Sequence, residues 1–275
     1  MSIRSDDASY VQQQYQDDLP LRVRIHTHAT YTVPQVDFTA WVLNKIDWQG
    51  TERVIDIGVG AGVYVEPARA RCRHYIAADL SLGMLCRLRQ PDLDRLNLDV
   101  QHLPLPDHTF DVVLANHMLY HVPDRDAALA QIARILRPAG CLLAVTNGMQ
   151  SMGELTRLYQ SAVHKLGLME KIPVMQSAAD TFGLENGTPL LLRHFAHVAR
   201  FDLPAALVFP EPQPVIDYLA TTRERYEALL PAGITWSDVA AVLTDLLRQH
   251  IAEHGVFRVN KLTGVFVCRQ PQGRV

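Results

Sequence analysis

Cysteine is scarce: the 275-residue chain has four, Cys72, Cys86, Cys141 and Cys268, and no C-x-x-C pair among them. That pattern excludes a zinc ribbon or a disulfide scaffold and predicts reduced core thiols. Basic charge is not in excess either. Lys and Arg number 26 against 29 Asp and Glu, a net charge of -3, so the electrostatic footprint of nucleic-acid binding is missing and no nucleic-acid partner is expected. No apolar run is long enough to span a membrane, and Met1 to Asp7 are polar, which leads to the expectation of a cytoplasmic protein. His26 and His28 form a short pair, but no third ligand stands at a sensible spacing, so no metal is expected. Also missing is a complete G-x-G-x-x-G dinucleotide fingerprint, because Val63 stands where its third glycine would fall.

What stands there instead is Val54-Ile55-Asp56-Ile57-Gly58-Val59-Gly60-Ala61-Gly62-Val63-Tyr64. The apolar run reads as a buried parallel strand, and the glycines at 58, 60 and 62 let the backbone approach a ligand where a Cβ would clash. Asp56 inside the strand would repel a pyrophosphate and needs a partner of its own. Its position suits the amino-acid end of S-adenosylmethionine. A first crossover helix is expected from Tyr64 to Arg73, its N-terminus facing the glycine turn and able to hold a carboxylate. The next strand, His74 to Asp79, ends in an acid placed to accept ribose hydroxyls, as in other doubly wound nucleoside sites, with Ser81 available as the helix cap instead. Leu80 adjoins Asp79 and is counted with it as a cofactor contact.

The D-x-G-x-G-x-G motif after a strand resembles the first motif of the class I S-adenosylmethionine-dependent methyltransferases. Leu103-Pro104-Leu105-Pro106-Asp107-His108-Thr109-Phe110-Asp111 resembles a segment of the UbiE-like, type 11 small-molecule members. Arg137-Pro138-Ala139-Gly140 resembles a turn of the same group, with Ala139 where glycine is frequent. The resemblance covers roughly residues 50 to 147. It implies S-adenosylmethionine as cofactor, with Asp99 facing the adenine amino group and the backbone amide of Val100 reading a ring nitrogen. His121 packs as structure in this reading. Asn116, the first residue past the fourth strand, is expected to face the methionine half of the cofactor.

These readings predict an α/β fold with a Rossmann-like, doubly wound seven-stranded sheet, its last strand antiparallel, and a helical lid. Residues 1–48 are expected to supply N-terminal helices and a site-covering segment, 49–150 the cofactor core, 151–197 the lid, and 198–275 the rest of the sheet with two helices. A short helix is expected over residues 6 to 18, ended by Pro20, then a loop over Leu21 to Pro34 in which Arg24, His28 and Tyr31 line the substrate entrance. The last strand, from Val256 to Cys268, is expected to be split by residues 260 to 264. The predicted activity is in-line transfer of a methyl group to a small-molecule acceptor. His117, His28 and Tyr31 are the candidates for a base if the acceptor must lose a proton. A nicotinamide-dependent reductase and a non-catalytic cofactor-binding domain are the competing readings. The acceptor, the receiving atom and the oligomeric state are not legible in the pattern.

Overall fold

The structure, a computed structural model, describes residues 19–168 and 177–272. The helix expected over residues 6 to 18 and part of the expected lid, 169 to 176, lie outside the described residues. The chain forms one sheet of eight strands, one more than the seven expected, in the order β1-β7-β8-β6-β5-β2-β3-β4. Strands β2 (Arg53–Ile57), β3 (His74–Asp79), β4 (Asp94–Asn97), β5 (Phe110–Asn116) and β6 (Leu136–Asn147) run parallel, as expected of apolar runs covered on both faces. Strand β8 (Phe257–Pro271) lies antiparallel between β6 and β7 (Phe195–Phe209). The extra strand is β1, only Thr32–Val33, paired with Leu207 and Ala206 at the edge.

Alternation along the strands sorts the core onto two faces. Ile55, Ile57, Val113 and Ala115 pack with helix α5 (Arg125–Ile135) and with Phe182, Leu184 and Leu191. Val54, Val112 and Leu114 pack on the other face with Val42 and Leu43 of α2 (Phe38–Leu43), Val65 and Ala68 of α3 (Val65–Arg69), and Leu85 of α4 (Leu82–Arg87). Helix α5 starts where expected, Asp124 Oδ1 accepting from the Ala127 amide at 2.9 Å.

Three expectations fail for identifiable reasons. Residues 21 to 31 are not a loop but belong to helix α1 (Leu19–Tyr31), with Pro20 in its first turn, where a missing N–H costs nothing. The helix shows no apolar stripe because it buries Thr27 rather than an aliphatic row. The last strand is not split: β8 is continuous through residues 260 to 264 and pairs along its whole length with β7. Pro204 sits within β7 opposite Leu262, tolerated because β1 pairs only with Ala206 and Leu207 and leaves that edge open. Arg137 to Gly140 form no separate turn; they lie in β6 as a bulge, since Phe110 pairs with Leu136 but Val112 already pairs with Cys141.

The continuous ribbon has an architectural consequence. Asn147, the last residue of β6, pairs with Thr263, so residues 257 to 262 of β8 project past the C-terminal rim of the parallel strands. On that projection a third cluster assembles, with Leu155, Tyr159 and Val163 of α6 (Gly153–Lys165), Val215 and Leu219 of α8 (Gln213–Ala220), and Val239, Leu243 and Leu247 of α10 (Trp236–His254). Between α8 and α10 lies the short α9 (Arg223–Glu227). Thr235 and Asp238 cap α10 reciprocally, as their spacing implied. The stretch expected as a lid is shared out: α6 joins this third cluster, while α7 (Gly187–Leu191) and Phe182 join the main core.

Candidate cofactor and acceptor site

All three glycines of the turn after β2 have positive φ, +75° at Gly58, +53° at Gly60 and +76° at Gly62, which L side chains rarely adopt. Their surroundings differ. A Cβ on Gly58 would lie 2.7 Å from Met118 Cβ, so this glycine admits the loop after β5. At Gly62 a Cβ would lie 2.6 Å from Leu88 Cδ2 and 3.2 Å from Val65 Cγ2, so this position serves packing around α3 and α4. Only Gly60 looks onto room, its nearest neighbour being Leu21 Cδ2 at 3.6 Å. Of the three glycines assigned to ligand approach from the motif, Gly60 is the one an added Cβ would leave without a clash.

Asp79 closes the turn from β3. Its Oδ2 accepts from the Gly60 amide at 2.9 Å and its Oδ1 from the Ser81 amide at 2.8 Å. Burial raises its pKa, and those backbone donors oppose the shift. Ser81, not Asp79, caps α4, its hydroxyl accepting from the Met84 amide at 3.3 Å. Asn97 Nδ2 donates to the carbonyls of both Asp79 (3.0 Å) and Leu80 (2.9 Å), fixing the loop and leaving the Leu80 side chain 39% exposed at the rim. Further along, Asp99 is engaged by its neighbour: Gln101 donates from its backbone at 2.9 Å and from Nε2 at 3.1 Å to each carboxylate oxygen. Val100 beside it is buried.

Asp56 is 2% exposed and takes a hydrogen bond from the Tyr75 hydroxyl at 2.6 Å. That hydroxyl is the partner the buried acid required. Burial lifts Asp56 to a pKa of about 7, with Tyr75 opposing and Asp79 reinforcing the rise. Tyr64, directly after the turn, buries its hydroxyl without a partner. Its place in the motif carried no signal of that.

Asn116 ends β5, two residues beyond the Leu114 that pairs with Asp56, which places it across from Gly58. It is 8% exposed, and neither its amide nitrogen nor its oxygen has a hydrogen-bond partner. A native fold rarely leaves both ends of a buried amide unsatisfied. His117 follows with φ +56°, a left-handed conformation that a side chain with a Cβ adopts at a cost. Its imidazole is held neutral by burial and by the charges of Lys261 and His121, with a pKa of about 4.

Opposite this rim stands a group of residues joined across the fold. Lys261 of the projecting β8 reaches His28 Nδ1 at 3.3 Å and Thr32 Oγ1 at 3.1 Å. His28 Nε2 lies 3.4 Å from the Tyr218 hydroxyl, which in turn donates toward Met152 Sδ at 3.6 Å. Because an ammonium can only donate, His28 Nδ1 accepts, and the proton of the neutral ring sits on Nε2. Burial and the Lys261, His117 and Arg24 charges hold His28 to a pKa of about 3, and burial lowers Lys261 to about 8. Tyr31 points away from this group, its ring packed on Phe209 at 5.0 Å. Lys261 and Tyr218 gave no signal in the sequence: Lys261 lies in the 260 to 264 stretch expected to split the last strand, and Tyr218 reads as an ordinary member of an amphipathic helix. Among the described residues no cluster of three or more His, Cys, Asp or Glu is arranged to hold a metal, and no helix is long and apolar enough to cross a membrane.

An acid-tipped, glycine-turned rim on a parallel sheet defines a Rossmann-like cofactor-binding domain. Residues 55–144 match the family model described as a methyltransferase domain. Malonyl-(acyl-carrier protein) O-methyltransferase of Yersinia pestis is 31% identical over 149 residues, 53% of this chain and 56% of that protein. Demethylmenaquinone methyltransferase of Mycobacterium sp. (strain KMS) is 32% identical over 127 residues, 46% of this chain and 53% of that protein. The chain thus spans about half the length of these curated relatives. A solved structure, phosphoethanolamine N-methyltransferase 2 of Haemonchus contortus, shares the fold with a TM-score of 0.57 at 17% identity, covering 98% of this chain and 61% of that one. The matched region thus resembles a methyltransferase domain, and the curated relatives it is similar to are named as methyltransferases.

Proposed function

We propose that this protein transfers the methyl group of S-adenosylmethionine to a small-molecule acceptor. The observation that carries the reading is Asn116: a buried amide with both ends unpartnered, set across from Gly58, is what a site for the polar methionine half requires. In this reading Gly58, Gly60 and Gly62 shape the turn and Gly60 admits the ligand. Asp79 accepts from the ribose hydroxyls, and the exposed Leu80 side chain and the Val100 backbone flank the adenine. Asp99 takes the adenine amino group in place of the Gln101 amide that now occupies it. Asp56 lies beneath the turn, near the ligand's ammonium end.

Bound S-adenosylmethionine would supply an electrophilic methyl whose leaving group is a neutral thioether. The protein's share is then mainly positioning and exclusion of water. Both His117 and His28 are neutral at pH 7, and with His28 Nδ1 already accepting from Lys261, His117 is the candidate to take a proton. Their low pKa values make them weak bases, which suits an acceptor that is already a nucleophile. Segment 22–41 and the described parts of 151–197 would select the acceptor in this reading. Incubating the protein with S-adenosylmethionine and a panel of small oxygen, nitrogen and carbon nucleophiles should release S-adenosylhomocysteine with at least one of them. Tight S-adenosylhomocysteine binding with no turnover against any member would favour a non-catalytic cofactor-binding protein.

A further inference from the structure

Beside the proposed cofactor contacts stand two cationic groups, Arg24 and Lys261, with no carboxylate bound to either among the described residues. Helix α1 crosses the site lengthwise. Leu21 lies against Gly60, Arg24 follows one turn on, and His28 the next, where Lys261 meets it. Among the described residues, no ion pair joins Arg24 or Lys261 to an acid, and the groups whose charges reach His28 are Lys261, His117 and Arg24. The nearby Glu154 is committed to Arg157 and to the backbone and side chain of Asn260.

Arg24 supplies the decisive geometry. Its Nε and Nη2 are both shut off from solvent and both lack a partner. Those two atoms form the side-on edge of the guanidinium, the fork that grips two oxygens of one carboxylate or phosphate. Burying that edge unpaired is costly, so something binds it. Lys261 has three ammonium hydrogens and spends two, on His28 and Thr32, leaving one to give. The guanidinium charge reaches both His28 and Tyr218, which puts Arg24 in the same group as Lys261.

We infer that the methyl acceptor carries an anionic oxygen group, a carboxylate or a phosphate, gripped by the Nε and Nη2 edge of Arg24 with Lys261 Nζ as a second donor. This assignment rests on the methyl-transfer reading, since it takes the neighbouring rim to be filled by the methyl donor. His28 then acts as a positioning residue: its neutral ring, oriented by Tyr218, holds the Lys261 ammonium toward the anion.

The test is calorimetry on the full chain saturated with S-adenosylhomocysteine, titrated with malonate, inorganic phosphate and the neutral analogue malonamide. Malonate or phosphate should bind and malonamide should not, and whichever anion binds more tightly identifies the group. Arg24→Met and Lys261→Met should each weaken that anion at least tenfold while leaving S-adenosylhomocysteine affinity within threefold. Arg24→Lys, which keeps the charge but loses the fork, should weaken the anion nearly as much, and a thermal melt of each variant checks that it is folded. Equal binding of malonamide, or no anion binding by the saturated protein, would overturn the assignment. So would a tenfold loss of S-adenosylhomocysteine affinity in Arg24→Met, which would give the fork to the cofactor's own carboxylate. Failure of wild type to bind S-adenosylhomocysteine at all would instead defeat the methyl-transfer reading beneath it.

Discussion

Asp79 Oδ2 accepts a hydrogen bond from the backbone amide of Gly60 at 2.9 Å, so the acid that ends β3 also fixes the turn that follows β2. The residue expected to hold the ribose thus also holds the middle glycine of the turn. On the proposed reading, truncating it removes a ligand contact and loosens the turn together. Asp79→Asn, which keeps one acceptor for the Gly60 amide, should retain more cofactor affinity than Asp79→Ala, and side-by-side titrations would show it.

Asn116→Ala should separate binding from stability. Leaving a buried polar group unpaired costs about 1–3 kcal/mol, and both amide atoms of Asn116 are in that state. The ligand-free variant should therefore melt no lower than wild type, or slightly higher, while S-adenosylhomocysteine affinity falls at least tenfold. A large drop in melting temperature would mean the amide has a structural partner.

The glycines should respond unequally. Gly58→Ala drives a Cβ to 2.7 Å from Met118 Cβ, a contact that only backbone movement relieves. Gly60→Ala meets only ordinary contact, Leu21 Cδ2 at 3.6 Å, and bears the positive-φ strain, about 1 kcal/mol. Denaturant unfolding should show the first losing clearly more stability than the second, with the second losing cofactor affinity instead.

Asp56 should leave a mark on the pH dependence of stability. Its folded pKa, about 7, lies above its usual value of 3.8, so the folded state binds the proton more tightly than the unfolded one. Stability from this group is therefore greatest below pH 4 and declines as pH rises to 7. Asp56→Asn, which still accepts from Tyr75, should flatten that decline. An unchanged slope in ligand-free melts across this range would show that Asp56 ionises normally.

Anion binding should weaken above pH 8. Of the groups around the fork, His28 and His117 are neutral above pKa values of about 3 and 4, and Tyr218 titrates only near 12. Lys261, at about 8, alone changes charge between pH 6 and 10. Malonate affinity measured across that range should fall with this midpoint in wild type and stay flat in Lys261→Met.

The parallel strands, the glycine turn and the capping pairs were legible because each rests on a local pattern: a buried apolar run, a tight turn, an acceptor three residues before its donor. The ribbon of β7 and β8 was not, because Pro204 and the polar 260–264 stretch look like breaks unless the short β1 edge is known. Helix α1 was hidden for a related reason. It buries Thr27 rather than an aliphatic row, so the periodicity that marks a helix is missing. Lys261 was concealed with the 260–264 stretch, and it meets His28 across 233 residues of chain.

The central claim is that the rim of Gly60, Asp79 and Asn116 holds an adenosyl methyl donor. It is tested most directly by calorimetric titration of S-adenosylhomocysteine and NAD into wild type and Asp79→Ala. S-adenosylhomocysteine should bind wild type and lose at least tenfold in the variant, about 1.4 kcal/mol or more, while NAD gives no signal. NAD binding, or S-adenosylhomocysteine affinity untouched by the substitution, would contradict it.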